Sequence, residues 1–315
     1  MDLSRITVFC FAASYAVALV LEAAALAGRR GGRLAGTLSG GRRAVLLGIT
    51  AAGLFAHVAY LVTQAGSAAT PLASPAEWCL LAAAVLAAIY LTFTLRHARW
   101  AVGVFLLPVV LLLVGMAYAA SDRPFSQDRA SLFWGQAHGW LLVAATASVS
   151  VGFVAGLMYL VQSWRLKHKT PPARGWSLPS LEWLQTANTR SLSLSVWLMV
   201  GGFLSGLVLT RLNQGPGGGS RLWSDPVVLT SSALLAWLVV AAAFRWAYPP
   251  ARHGRKVAYL TVTAFGFLAI VLGSLTWGGA SHGARDQPPA AAIDGSSPSQ
   301  SSRRPAPGAT DPRPL

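Results

Sequence analysis

Two of the six histidines, His138 and His282, stand where long apolar stretches end, in a chain otherwise poor in reactive side chains. His138 follows Phe133-Trp134-Gly135-Gln136-Ala137, and His282 follows Trp277-Gly278-Gly279-Ala280-Ser281. A neutral imidazole is a strong ligand for iron, and two on one face can fill both axial positions of a haem. Read more plainly, each is a polar residue at a membrane interface. Between them lies Arg221-Leu222-Trp223-Ser224-Asp225-Pro226. Trp223, with Asp225 beside it, offers a flat apolar platform for a porphyrin. The same residues also make an ordinary helix start, with Asp225 as cap and Pro226 in the first turn.

His57 lies inside an apolar run, Leu54-Phe55-Ala56-His57-Val58-Ala59-Tyr60. Ionisable groups within a bilayer are costly and are functional candidates by default. His57 is therefore either a third cofactor-binding residue or a hydrogen-bonded contact between helices. Glu22 raises a similar question near the end of the first apolar run. His97, His168 and His253 sit among Arg and Lys and read as solvated loop residues. Cys10 and Cys79 fall within apolar runs, with no CxxC and no CxxCH, so they read as small buried hydrophobes. There is no Walker loop, no HExxH, no Ser–His–Asp set and no paired intramembrane acids. A catalytic centre is not expected.

The elements that must position these residues are membrane helices. Hydrophobic residues make up 54% of the chain and charged ones 11%, with a mean hydropathy of +0.52. A soluble domain carries about a quarter charged residues. A bilayer core of about 30 Å needs roughly 20 apolar residues in a helix. Runs of that kind occur at 6–27, 44–64, 77–95, 100–120, 138–163, 191–211, 227–246 and 257–279. The expected fold is all-α: a polytopic bundle of eight transmembrane helices.

Charge sets its direction. Loops 28–43, 96–99, 165–190 and 245–256 hold sixteen Arg and Lys, whereas the opposite loops hold five before the tail. The positive-inside rule makes the basic set cytoplasmic and both termini extracytoplasmic, in a multi-pass protein of the cell (inner) membrane. His138 and His282 then share the outer face. The first run has its charges on the wrong side for a cleaved signal peptide and is expected to stay. The net charge of +15 is dispersed among short loops, which speaks against nucleic acid as a partner. Within 165–190, Ser180 is placed to cap a short helix whose Leu181, Trp183 and Leu184 would lie along the interface. Residues 1–283 form the expected membrane domain. Residues 284–315, rich in Ser, Pro, Ala and Arg, read as a disordered extracytoplasmic tail.

With this layout the chain resembles the cytochrome c assembly family of haem-handling membrane proteins, CcsA, CcmC and HemX-like. The resemblance runs from about residue 44 to 282. It is carried by Tyr159-Leu160-Val161-Gln162-Ser163-Trp164-Arg165-Leu166-Lys167-His168-Lys169 and Leu178-Pro179-Ser180-Leu181-Glu182, after a helix opened by His138. Leu95-Arg96-His97-Ala98-Arg99 before Phe105-Leu106-Leu107-Pro108, and His57 in its helix, match as well. The family's tryptophan-rich loop is reduced here to Leu222-Trp223-Ser224-Asp225-Pro226, and a helical histidine of some members is replaced near Arg245, which favours the HemX-like branch. The resemblance implies a haem b held transiently by His138 and His282, with Trp223 on the ring. It implies delivery to apocytochrome c, alone or with a ResB-like membrane partner. The alternative is a HemX-like regulator or scaffold of haem biosynthesis acting through its cytoplasmic loops.

Overall fold

The computed structural model describes residues 3–27, 39–67, 72, 74–97, 100–120, 129–169, 177–213, 225–247 and 255–277. His282, Trp223 and the tail lie outside the described residues. Among those described there are eight helices and no strands: α1 (Leu3–Ala27), α2 (Ser39–Ser67), α3 (Pro75–Arg96), α4 (Gly103–Ala119), α5 (Arg129–Lys167), α6 (Leu181–Asn213), α7 (Pro226–Ala247) and α8 (Arg255–Trp277). Seven are long and apolar enough to cross a membrane. At 17 residues, α4 reaches about 26 Å, slightly short of a full hydrocarbon core. The chain is a multi-pass membrane helix bundle.

Two helices differ from the sequence expectation. Of 39 and 33 residues, α5 and α6 span about 58 Å and 50 Å, far beyond the apolar runs at 138–163 and 191–211. The extensions carry Gln136, Arg165, Glu182, Asn188 and Arg190, so hydropathy stops where helicity does not. Ser180 does cap a helix, accepting from the Trp183 N–H at 3.2 Å. That helix is α6 itself, and the expected short interfacial helix is absent. Leu184 is fully buried, and Trp183 packs edge-on against Phe93 and Trp100. The backbone of Ser177 pairs with Trp100 in a single parallel bridge, which ties the start of α6 to the turn between α3 and α4. His97 stacks on Trp100 at 3.7 Å and is half-buried, so it is not the solvated loop residue expected.

Among the helix starts whose preceding residues are described, α3, α6 and α7 follow local chemistry and α4 does not. Ser74 and Glu77 form a reciprocal capping box ahead of α3, with Pro75 in the first turn. Asp225 accepts from the Val227 N–H at 2.8 Å ahead of α7. The start of α4 has no side-chain cap of its own. Glu22, from the end of α1, supplies it: Oε2 accepts from the Val104 N–H at 3.1 Å, and Oε1 accepts from the Tyr90 hydroxyl at 2.7 Å. A carboxylate at a helix N-terminus satisfies an orphan donor and meets the positive end of the dipole. A side chain at Gly103 would collide with the Glu22 carboxyl, so close approach requires glycine there. At the end of α3, Arg43 of α2 donates to the carbonyls of Thr94 and Leu95, both at 3.3 Å.

Helices consecutive in the chain run antiparallel, and α5 is central, packing on α3, α4, α6 and α8. One end of the bundle gathers the Glu22 and Arg43 contacts, the Arg245 bond to the Thr189 carbonyl at 3.1 Å and the Arg255 bond to Ser163 at 2.7 Å. This is the basic end. At the opposite end α3, α5 and α7 begin and α6 and α8 finish. In lipid, helices associate through small residues and interhelical hydrogen bonds because apolar burial gives no net drive. The buried side of α3 accordingly includes Ala82, Ala83 and Ala87, beside Leu80, Leu86 and Tyr90, in one core with the leucines and valines of α4.

Candidate functional site

His138 lies in the third turn of α5, at the end of the bundle away from the basic loops. Its ring leans on α6, where Gly202 and Gly206 follow the small-xxx-small spacing that admits a close neighbour. A Cβ added at Gly206 would stand 2.8 Å from Cε1, 3.1 Å from Nδ1 and 3.6 Å from Nε2. The Nδ1–Cε1 edge therefore fills the glycine seat, with Nε2 set farther from α6. Nδ1 lies 2.7 Å from the Gly202 carbonyl oxygen. A carbonyl only accepts, so Nδ1 carries the proton and the neutral ring has its lone pair on Nε2. Ser205 Oγ donates to the same carbonyl at 2.8 Å and stands 3.4 Å from Nδ1. A backbone carbonyl on the far nitrogen is how metal-ligating histidines are oriented.

Aromatic side chains surround this position. Trp78 of α3 lies against Gly139, where a Cβ would run into its indole, and meets Trp140 edge-on at 6.0 Å. Trp134, one turn before His138, is half-buried and touches Phe133 edge-on at 5.8 Å. Trp140 remains 51% exposed. Interfacial tryptophans form such belts without any ligand, so their presence alone assigns no function.

The other expected site residues fall elsewhere. Asp225 sits at the start of α7, on the same end as His138, and its Oδ1 serves as the helix cap that the Asp-Pro pair implied. His57 belongs to a separate group in which α1 meets α2. It is completely buried, stacked on Phe11 at 4.0 Å and 4°, with Nδ1 3.2 Å from the Tyr15 hydroxyl. Its Nε2 is buried with no hydrogen-bond partner among the described residues. Nor do those residues contain any cluster of three or more His, Cys, Asp or Glu side chains suited to a metal ion. A bis-imidazole haem needs only two such ligands, and His138 has the character of one: half-buried, with Nδ1 on a backbone carbonyl, near the end of the bundle away from the basic loops.

Sequence reasoning missed the receiving groove. Gly202-Phe203-Leu204-Ser205-Gly206 carried the signal in its glycine spacing, and only the antiparallel pairing of α5 with α6 brings it to His138. It also missed the role of Glu22, whose partner is 82 positions away. Comparison with known proteins found no matching family, no matching curated protein and no matching solved structure.

Proposed function

We propose that this protein handles haem at the extracytoplasmic face of the cell membrane, holding it without permanent attachment for delivery to apocytochrome c. The observation that carries the reading is the seating of His138: a glycine groove and the Gly202 carbonyl orient its ring so that the lone pair is on Nε2. Haem, when bound, would supply the iron and the flat apolar surface. His138 and His282 would hold the metal, and Trp223 with its neighbours would pack on the ring. The protein's own part is orientation and ligation. Orientation rests on the charge rule: the end holding loops 28–43, 96–99, 165–190 and 245–256 faces the cytoplasm. A ResB-like membrane protein is the partner this reading requires if transfer is not direct.

The test is an optical spectrum of detergent-purified protein, wild type beside His138→Gly, with haem added. Wild type gains a Soret band, the variant loses most of it, and added imidazole restores part. Absence of haem absorbance in the wild type would end the proposal. A regulator acting through the basic loops predicts instead that deletion within the 165–190 segment disturbs haem levels, with c-type cytochrome assembly normal and His138→Gly behaving as wild type. Orientation is checked separately by impermeant labelling: a cysteine at Ser297 reacts from outside, and one at the exposed Lys169 does not.

A further inference from the structure

Where α5, α6 and α8 meet, a cavity of about 10 Å³ is lined by Ser148 and Gly152 of α5, Ser191 and Ser195 of α6 and Thr261 of α8. That volume is about one water probe sphere. Three of the lining hydroxyls have their hydrogens committed. Ser148 Oγ donates to the Ser191 carbonyl at 3.0 Å, Ser195 Oγ to the same carbonyl at 2.7 Å, and Thr261 Oγ1 to the Ala258 carbonyl at 3.0 Å. What these oxygens still offer is lone pairs. Asn188, one turn before Ser191 on α6, is only 2% exposed. Its Oδ1 is buried without a hydrogen-bond partner among the described residues and lies 3.8 Å from where a Cβ on Gly152 would stand.

Asn188 Oδ1 is thus a buried acceptor without a donor, on the same stretch of α6 as the lining, inside a membrane where an unpaired polar atom is costly. We propose that the seam is a built site for a single water molecule, which donates to Asn188 Oδ1 and to a hydroxyl oxygen of Ser148, Ser195 or Thr261. Water fits the volume and supplies the donor that Asn188 Oδ1 lacks. A sodium ion would supply positive charge, but none of the lining residues is charged, and an uncompensated buried cation is far more expensive. Glycine at 152 keeps the site open, because its Cβ would press to 3.1 Å from that of Ser191. The site lies ten residues along α5 from His138, about 15 Å. The water therefore helps to fix the register in which His138 meets Gly202. This inference is independent of whether haem binds.

The test is a map of the full chain in nanodiscs at a resolution that shows ordered waters, with Asn188→Leu and Gly152→Ala determined alongside. The expected result is one isolated peak at roughly 2.7–3.2 Å from Asn188 Oδ1 and from a hydroxyl. It should be lost in both variants. Unfolding midpoints of the wild type should be equal in sodium, potassium and choline chloride at one ionic strength. An empty cavity, or an Asn188 amide reversed and bonded directly to a hydroxyl, overturns the proposal. A midpoint raised by sodium alone overturns it too, in favour of a cation. If either variant fails to fold, the wild-type map and the salt series still decide.

Discussion

The group formed by α1 to α4 and the pair formed by α5 and α6 each bury an imidazole, and they do so in opposite ways. His57 is closed off on every side, stacked on Phe11 and bonded to Tyr15. His138 is seated on a glycine groove and only half-buried, with its proton directed at a backbone carbonyl. Residue type is the same in both. What differs is access: the first ring is held by aromatic neighbours, while the second is held by backbone and glycine, which orient it without enclosing it. A histidine that binds and releases a cofactor needs the second arrangement.

This contrast can be broken most forcefully at His57. His57→Ala removes a filled, stacked ring and strands the Tyr15 hydroxyl, and is expected to cost about 2–4 kcal/mol of stability. Unfolding in detergent measures the loss, and haem bound per folded molecule should stay at the wild-type level. A drop in that ratio would make His57 part of the cofactor site. His138→Gly should reverse the pattern. Stability falls by only about 1 kcal/mol, as for a half-exposed side chain, while haem affinity falls by more than about tenfold and imidazole recovers part of it.

Gly206→Ala sharpens the comparison further. Its new Cβ meets His138 Cε1 at 2.8 Å, so the ring must shift by a few tenths of an ångström, at about 1 kcal/mol or less. The haem band should move while the protein remains folded. Gly201→Ala, whose nearest contact would be 3.6 Å away on Leu141, should leave the band in place. The smallest effect on the haem band is expected at Glu22→Gln. The amide still accepts from Tyr90 or Val104, so about 0.5–1.5 kcal/mol is lost. The proposed haem site, at the far end of the bundle, should not respond. Titration of the band against each variant tests all three together.

Membrane character, the number of helices and the alternation of their ends were all written in the sequence, because each is a property of local stretches. Apolar runs, Pro226 after Asp225 and the box at Ser74 and Glu77 act over a few residues and need no partner. Hydropathy failed at the ends of α5 and α6, where the helices continue past the apolar runs and are sheltered only in part: Glu182 and Arg190 are exposed, Leu184 and Asn188 are not. The last two lie outside the apolar run, and both are buried.

What the tertiary structure alone decided are the pairings that span tens of residues. The tautomer of His138 depends on Gly202, 64 positions away, and the cap of α4 on Glu22, 82 positions away. The small cavity lined by serines and Thr261 draws on α5, α6 and α8 at once. Composition limits which groups are available for such contacts. Only the packing of antiparallel helices, in a register set by glycine and serine, determines which of them meet.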